Sequence, residues 1–309
     1  MLTSILSILF GFILLAISGE SLVNGSVKIA RHFSLSEILV SAVIIGFGTS
    51  LPEMTVSVNA ALHDATDMAV SNVIGSNIAN MFLITAVAAI ITPIVVNTKE
   101  IKDDAFFMVF ATFTLLVLNF ILIINLPIGA LMIAAMMCYI FFSYKSEMKH
   151  KDRKHTKEDI KKLIFAFFLC GIGLIGLVIS STLLVEGALK LSALLGIGEV
   201  IIGLTVVAIG SSLPEFALAV VASYRKNSDI IIGNILGSNT FNLMAILGVT
   251  GMVKPIRFEA NILLPDILIL VAITLVFTAL LFVKKRISRI QGVLMLLTYL
   301  IYIGSLGLR

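Results

Sequence analysis

Two glutamates directly follow a proline, each inside an apolar stretch long enough to span a bilayer. Glu53 closes the run Gly-Thr-Ser-Leu-Pro-Glu, and Glu215 closes the run Gly-Ser-Ser-Leu-Pro-Glu. A charged side chain at the centre of a membrane costs about 2.5–3.5 kcal/mol on insertion scales. No Lys or Arg lies deep in any apolar stretch to pair with these carboxylates. We therefore expect protons, bound cations, or both in turn to compensate their charge.

A second repeated motif supplies neutral oxygen atoms. The run Gly-Ser-Asn-Ile-Ala-Asn ends at Asn80, and the run Gly-Ser-Asn-Thr-Phe-Asn ends at Asn242. Polar residues recur every four positions around each run, so they share one helix face. The two stripes are Asn72, Ser76 and Asn80, and Asn234, Ser238 and Asn242. Carboxylates, amides and hydroxyls form an all-oxygen set that suits calcium, with its six to eight ligands, and sodium equally.

Both motifs recur after 162 positions, so the chain carries one pattern twice. Pro52 and Pro214 lack an amide hydrogen, so the carbonyls of Gly48 and Gly210, four residues earlier, lose their helical partners. Each stretch is thus predicted to form two half-helices, with carbonyl oxygens that favour cations at the break. A proline can also be a simple kink, and lone Asn or Ser residues often only join helices. Duplication of the whole set in register favours an ion site.

The composition indicates the solvent around these motifs. Of the 309 residues, 59% are hydrophobic and 13% are charged, and the mean hydropathy is +1.11. These values are typical of an integral membrane protein, and continuous apolar runs favour helices over barrel strands. Ten spanning segments are predicted, approximately 2–24, 37–62, 68–91, 104–124, 127–144, 163–188, 199–222, 230–252, 262–283 and 290–307. The predicted fold class is an all-α polytopic membrane protein.

Basic residues predict the orientation. With the N-terminus outside, 18 of the 22 Lys and Arg residues fall in inside loops, eight of them between Lys145 and Lys162. By the positive-inside rule the N-terminus is external and the central loop is cytoplasmic. The first Lys or Arg is Lys28, which argues against a cleaved signal peptide. The charge of +4 follows from this loop pattern, so nucleic acid is not an expected partner.

The domain plan follows from the helix count. Residues 1–144 form a first five-helix repeat, 145–162 a basic linker, and 163–309 a second repeat; the duplicated cores cover about 37–93 and 199–255. An odd number of helices makes the second repeat enter from the opposite side, the inverted plan of secondary transporters. Glycines in the first and sixth helices would permit sliding against this core. They are Gly11, Gly19, Gly25, Gly171, Gly173 and Gly176.

Other acidic residues have less specific interpretations. Glu37 and Glu199 lie sixteen positions before the motif glutamates, about 24 Å along a helix, so we place them at membrane faces where they stabilise helix starts. Glu20, Glu186 and Asp266 could line an ion entrance, although interfacial packing is the favoured interpretation. No histidine, cysteine or lysine accompanies the motif glutamates, so an enzyme is not expected.

At the two motif pairs the chain resembles the alpha-repeats of the sodium/calcium exchanger family, within the cation/calcium antiporter superfamily. The resemblance is to compact prokaryotic members and covers essentially the whole chain. It implies electrogenic exchange of sodium for calcium, with ions bound between the second, third, seventh and eighth helices. Glu53 and Glu215 would be shared calcium and sodium ligands. Around them the resemblance implies carbonyl ligands at Thr49, Ser211, Gly46 and Ala208, and flanking sodium sites at Ser50, Ser212, Ser76 and Ser238.

One position departs from part of this family. Asn242 stands where some members, including potassium-dependent exchangers, carry Asp, while Asn80 keeps the usual amide. With two central carboxylates instead of three, potassium-independent transport is expected. A calcium/proton antiporter and a cation channel remain as alternatives, although no carbonyl filter is apparent in the sequence. The expected partners are calcium, sodium and the bilayer of the plasma membrane, with no cofactor, and the chain is expected to be monomeric.

Overall fold

A computed structural model describes residues 2–121, 123–148, 157–194, 210–257 and 263–306, which are almost entirely helical. We number eleven helices in this part of the chain. They are α1 Leu2–Phe33, α2 Glu37–Thr49, α3 Leu51–Leu62, α4 Thr66–Ile91, α5 Lys102–Ile121, α6 Leu126–Met148, α7 Lys157–Leu194, α8 Leu213–Tyr224, α9 Ser228–Val253, α10 Leu264–Lys284 and α11 Arg289–Leu306. The long apolar runs form helices because every backbone polar group is then satisfied internally.

Eight of these helices are long and apolar enough to cross a membrane, and a ninth span results if α2 and α3 are joined. The apolar helix α8 is shorter, and the preceding residues 195–209 lie outside the described part of the chain. Nine of the ten predicted segments thus coincide with apolar helices or a bent helix pair. The helices α6 and α7 extend into the predicted linker, to Met148 and from Lys157.

Four two-residue strands join the two halves of the chain. The strands are β1 Ile94–Val95, β2 Ile123–Ile124, β3 Ile256–Arg257 and β4 Arg286–Ile287. Antiparallel pairs form between β1 and β4 and between β2 and β3. Each small sheet therefore takes one strand from either side of the central linker. The sequence had not predicted these strands.

The bounds of the helices repeat with the same interval as the motifs. The helix α3 covers Leu51–Leu62 and α8 covers Leu213–Tyr224, a shift of 162 at both ends. The same shift carries the last helical segment of α4, Thr85–Ile91, onto that of α9, Leu247–Val253. The duplication in sequence is therefore also a duplication of local structure.

The predicted helix break is present in the first copy. The helix α2 ends at Thr49 and α3 begins at Leu51, with a bend of 43° between them. Ser50 lies at the break with φ −85° and ψ 6°, and Ser212 has nearly the same conformation, φ −87° and ψ 10°, before α8. Pro52 and Pro214 fit here because the first helical turn needs no amide donor at that position.

Wider turns of π-helix occur in four of the described helices, within three of them and at the C-terminal end of α10. They lie at Ser41–Ile45, Ala79–Ile84, Asn242–Ile246 and Leu280–Lys284. The second and third include Asn80 and Asn242 and are related by the repeat. Single π-turns are frequent at functional sites because they redirect side chains within a helix. The hydrophobic pattern did not predict them.

The helices divide into a buried centre and a periphery. The most apolar window of α9 is entirely buried, whereas 11% of the corresponding window in α6 is buried. Long α1 packs along α7, where a Cβ at Gly173 would lie 2.8 Å from the main-chain nitrogen of Leu22. Small residues permit this close backbone approach. Gly171, in contrast, has no such neighbour among the described residues.

Candidate functional site

The two motif glutamates are held by serines of the opposite half. Ser212 Oγ donates a hydrogen bond to Oε1 of Glu53 at 3.0 Å, and Ser50 Oγ donates to Oε1 of Glu215 at 3.2 Å. Each serine lies just before the glutamate of its own half and donates to the glutamate of the opposite half. Both carboxylates are almost completely buried, with exposed fractions of 0% and 1%. The structure therefore brings the two predicted acidic residues into one centre between the halves.

The asparagines that end the second motif lie beside the same helices. The π-turn at Asn242–Ile246 packs against α3, which carries Glu53, and the π-turn at Ala79–Ile84 packs against α8, which carries Glu215. Asn80 and Asn242 are buried, at 1% and 0% exposed. Each glutamate helix thus contacts the asparagine segment of the opposite half.

Four side-chain oxygens in this centre form a symmetric set. Within the described residues, no hydrogen-bond partner reaches Oε2 of Glu53, Oε2 of Glu215, Oδ1 of Asn80 or Oδ1 of Asn242. The amide nitrogens of both asparagines are engaged, donating to Asn239 and Asn77 respectively. Buried polar atoms are normally satisfied. The arrangement therefore has the chemistry of a cation site, with two carboxylate and two amide oxygens available as ligands.

The flanking residues around Thr49, which come from both copies, are closely packed. Thr49 Oγ1 donates to Oδ1 of Asn234 at 3.4 Å and lies 3.5 Å from Ser238 Oγ, which can donate to the carbonyl oxygen of Gly46 at 3.4 Å. A Cβ at Gly46 would lie 2.8 Å from the main-chain nitrogen of Ser238. Only glycine permits this approach of α2 to α9. The predicted residues Gly46, Thr49 and Ser238 are therefore brought together.

The equivalent residues around Ser211 are more open. Ser211 and Asn72 are half-buried and line a cleft of about 510 Å³ that also contacts Pro52, Ser181 and Glu186. Asn72 Nδ2 donates to the carbonyl oxygen of Glu53 at 3.2 Å, so the cleft extends to the main chain of the acidic centre. The predicted ligand Ser76, one helical turn after Asn72, is buried. Predicted residues Ala208 and Glu199 lie outside the described part of the chain.

A polar contact occupies the position that the repeat relates to this cleft. Glu20 forms an ion pair with Arg225, and Arg225 Nη1 donates to Oδ1 of Asn24 at 2.7 Å. The repeat interval of 162 residues relates Asn24 to Glu186, which lines the cleft. Two of the three candidate entrance residues therefore have different surroundings: Glu186 lines an opening, and Glu20 joins α1 to the turn after α8.

The sequence interpretation omitted two residues of the centre. Asn77 and Asn239 accept hydrogen bonds from Asn242 and Asn80, at 3.3 and 3.0 Å. Both belong to the repeated Gly-Ser-Asn run, so their duplication was a visible signal. They were omitted because the four-residue stripe through Asn80 does not include the position three residues before it.

The apolar helices, the recurring helix bounds and the buried oxygen-lined centre are typical of a membrane transporter. Comparison with known proteins identifies it more closely: the family described as Sodium/calcium exchanger protein matches residues 3–145 and 165–306. The chain belongs to this sodium/calcium exchanger family, as its motifs predicted.

Relatives and solved structures agree with this assignment. The chain is 31% identical to the uncharacterized membrane protein MJ0091 of Methanocaldococcus jannaschii, with 96% of each chain covered. It is 26% identical to the sodium/calcium exchanger MaX1 of Methanosarcina acetivorans, covering 96% of this chain and 97% of that one. A structure of the sodium-calcium exchanger NCX_Mj, soaked with zero Na⁺ and Ca²⁺, superposes with a TM-score of 0.85 at 31% identity over 99% of both chains.

Proposed function

We propose that this chain is a secondary active antiporter that exchanges sodium for calcium across the plasma membrane by alternating access, independently of potassium. The observation that carries the proposal is the set of four unpartnered oxygens on Glu53, Glu215, Asn80 and Asn242 in the described part of the centre. Two negative charges among neutral oxygens suit one calcium ion or several sodium ions. The family relationship supports the same ion pair.

The proposed ligands extend from the centre to flanking sodium sites. Glu53 and Glu215 are shared by calcium and sodium, with the amide oxygens of Asn80 and Asn242 beside them. The flanking ligands are hydroxyls of Ser50, Ser212, Ser76 and Ser238 and main-chain oxygens of Gly46, Thr49, Ala208 and Ser211. Contacts of Thr49 and Gly46 with Ser238 support one flanking group. The cleft position of Ser211 supports the other.

Obligatory exchange follows from the burial of the two charges. Among the described residues, no Lys or Arg forms an ion pair with Glu53 or Glu215. An empty centre would have to desolvate two unpaired carboxylates when it closes, and unpaired buried charge is strongly unfavourable. A calcium ion or several sodium ions remove this penalty. The protein can therefore change its open side only when cations are bound.

Alternating access is supported by the unequal ends of the site. The cleft at Ser211 and Asn72 is one access route, and the contact of Glu20 with Arg225 closes the repeat-related route. We propose that α1 and α7 move together against the remaining helices, because they pack closely along their length. In the alternative state, Glu20 would separate from Arg225.

The proposed topology has ten spans in two inverted five-helix repeats, 1–144 and 163–309, joined by the cytoplasmic linker 145–162. The shared interval of 162 between helix bounds supports the repeats, and the basic loops support an external N-terminus. The ion pair of Asp64 with Lys254, 2.7 Å long, joins two loops that this topology places outside. The described residues of the site all belong to one chain, and we propose a monomer.

Calcium uptake into proteoliposomes tests the function. Vesicles loaded with sodium and diluted into sodium-free medium should accumulate radiolabelled calcium when the pH is clamped equal on both sides. Uptake that is driven only by a proton gradient would show that protons, and not sodium ions, are the counter-ion. Calcium flux without any counter-ion would indicate a channel. Vesicles loaded with choline are the control for leakage.

A further inference from the structure

Two buried asparagines outside the proposed ligand set contact the two that lie within it. Asn242 Nδ2 donates to Oδ1 of Asn77 at 3.3 Å, and Asn80 Nδ2 donates to Oδ1 of Asn239 at 3.0 Å. Both hydrogen bonds cross from one half to the other. Asn77 and Asn239 are 0% and 1% exposed, so water does not compete for these contacts.

The orientation of an asparagine amide group decides whether its oxygen or its NH₂ group faces a cation. The oxygen is an acceptor and can be a ligand, whereas the NH₂ group is only a donor. With the NH₂ group of Asn242 bound to Asn77, its oxygen is left without a partner among the described residues. In the reversed orientation the NH₂ group would occupy the position of that oxygen, and the cation would lose a ligand.

We propose that Asn77 and Asn239 are positioning residues that orient the amides of Asn242 and Asn80 so that both amide oxygens face the cation. This inference rests on the proposed function and deepens it. The crossed pattern makes each half's amide ligand depend on an acceptor supplied by the other half. Calcium affinity is thereby coupled to contact between the halves.

The orienting residues differ in their own surroundings. Asn239 Nδ2 lies 3.7 Å from Sδ of Met108 on α5, which directs the Asn239 oxygen toward Asn80. No partner of Asn77 Nδ2 is present in the described part of the chain. A thioether is a weak acceptor, yet it gives Asn239 one restraint more than Asn77. We therefore test the less restrained residue, Asn77, first.

Equilibrium binding of radiolabelled calcium to the purified full chain in detergent tests the inference. Asn77→Leu keeps the approximate size but removes the acceptor, and we expect calcium to bind roughly tenfold more weakly. Asn77→Asp keeps an acceptor oxygen and should bind at least as well as the parent. Asn119→Leu is the matched control, because Asn119 is a buried asparagine outside the site; its calcium affinity should equal the parent's.

A second background separates orientation from general packing. A carboxylate introduced by Asn242→Asp has two equivalent oxygens and no amide direction to fix. Adding Asn77→Leu to Asn242→Asp should therefore leave calcium affinity unchanged, whereas the same substitution weakens binding in the parent. A mere packing defect at Asn77 would weaken binding equally in both backgrounds. This coupling between the two positions is measured as a double-mutant cycle.

Three outcomes would overturn the positioning role: Asn77→Leu binding calcium like the parent, Asn77→Asp failing as badly as Asn77→Leu, or equal losses in both backgrounds. If Asn77→Leu does not elute as folded protein, Asn239→Leu and Asn239→Asp provide the same comparison, with Asn80→Asp as background. A parent chain that binds no calcium would instead refute the proposed function, and the orienting role with it.

Discussion

Ser212 donates a hydrogen bond to Glu53 across the boundary between the two halves, and its counterpart Ser50 does the same for Glu215. Each carboxylate is therefore positioned by the break that precedes the other one. A change in the relative position of the halves would alter both contacts together. Because each glutamate accepts a hydrogen bond from the opposite half, both halves are needed to form the acidic centre.

Neutralising either glutamate should nearly abolish exchange. Glu53→Gln and Glu215→Gln keep the shape of the side chain but remove one of two buried charges, at a cost of about 3 kcal/mol, or roughly a hundredfold in rate. Sodium-driven calcium uptake in proteoliposomes measures the loss, and size-exclusion chromatography checks the fold. The exposed Glu100→Gln is the control. Full uptake by either variant would refute the assignment of the central ligands.

Potassium dependence is expected to follow the charge at position 242. Asn242→Asp adds a third carboxylate to the centre, which favours an additional monovalent cation, so potassium should stimulate calcium uptake where the parent shows no response. The measurement compares uptake with potassium and with choline at equal ionic strength. Asn59→Asp adds the same charge at an exposed position of α3 and should not respond. Stimulation of the parent by potassium would contradict the proposal that an amide at position 242 makes transport independent of potassium.

Joining α1 to α8 should stop transport. A Cβ at Gly19 would lie 3.6 Å from Cβ of Val221, within the usual disulfide range of about 3.5–4.5 Å. With Cys138 and Cys170 replaced by serine, Gly19→Cys together with Val221→Cys should lose uptake on oxidation and regain it on reduction. Each single cysteine variant is the control. An undiminished rate with the cross-link complete by mass spectrometry would refute movement of α1 against α8.

The ion pair of Asp64 and Lys254 should not set the pH dependence of exchange near neutrality. The hydrogen bond from Lys254, together with its charge, holds the pKa of Asp64 below its ordinary value. A carboxyl group with a depressed pKa stabilises the fold fully at pH values above its ordinary pKa. This stabilisation is lost as the pH falls through the depressed pKa. The ordinary pKa and the depressed pKa of Asp64 both lie below neutral pH, so this contribution is constant near neutrality.

Lys254→Met tests this directly, because removing the ammonium group should raise the pKa of Asp64 toward its ordinary value. Carboxyl NMR of the parent and the variant measures the change. Uptake of the two proteins near neutral pH should remain parallel. The side chain of Asp64 is 79% exposed, so the variant should also fold normally. A pKa that does not rise would show that the pair is absent in solution.

The sequence predicted the helical class, the break before Pro52 and the meeting of Glu53 with Glu215. These features follow from apolar length and from the missing amide of proline, which are local, and from the duplication in register, which is visible directly in the sequence. Helix ends were less predictable. The first segment was predicted to end at 24, but α1 continues to Phe33, because Lys and Arg can remain helical beyond the apolar core of a membrane.

The π-turns at Asn80 and Asn242 could not be predicted from hydrophobicity. One wider turn rotates the helix that follows it, and its position is selected by packing against the opposite half. The unequal surroundings of Thr49 and Ser211 were equally inaccessible, since the two copies are nearly identical in sequence there. A repeat defines two similar local structures, whereas the difference between them is a property of the assembled state.

The two small sheets have a consequence for the evolutionary origin of the chain. In each sheet, one strand comes from 1–144 and the other from 163–309. An isolated half would leave both of its strands as unpaired edges, and such edges readily pair with another copy. An ancestral gene that encoded one half would thus have produced a homodimer. In the present chain, the same pairing is made within one polypeptide, because each sheet joins a strand before the linker to a strand after it.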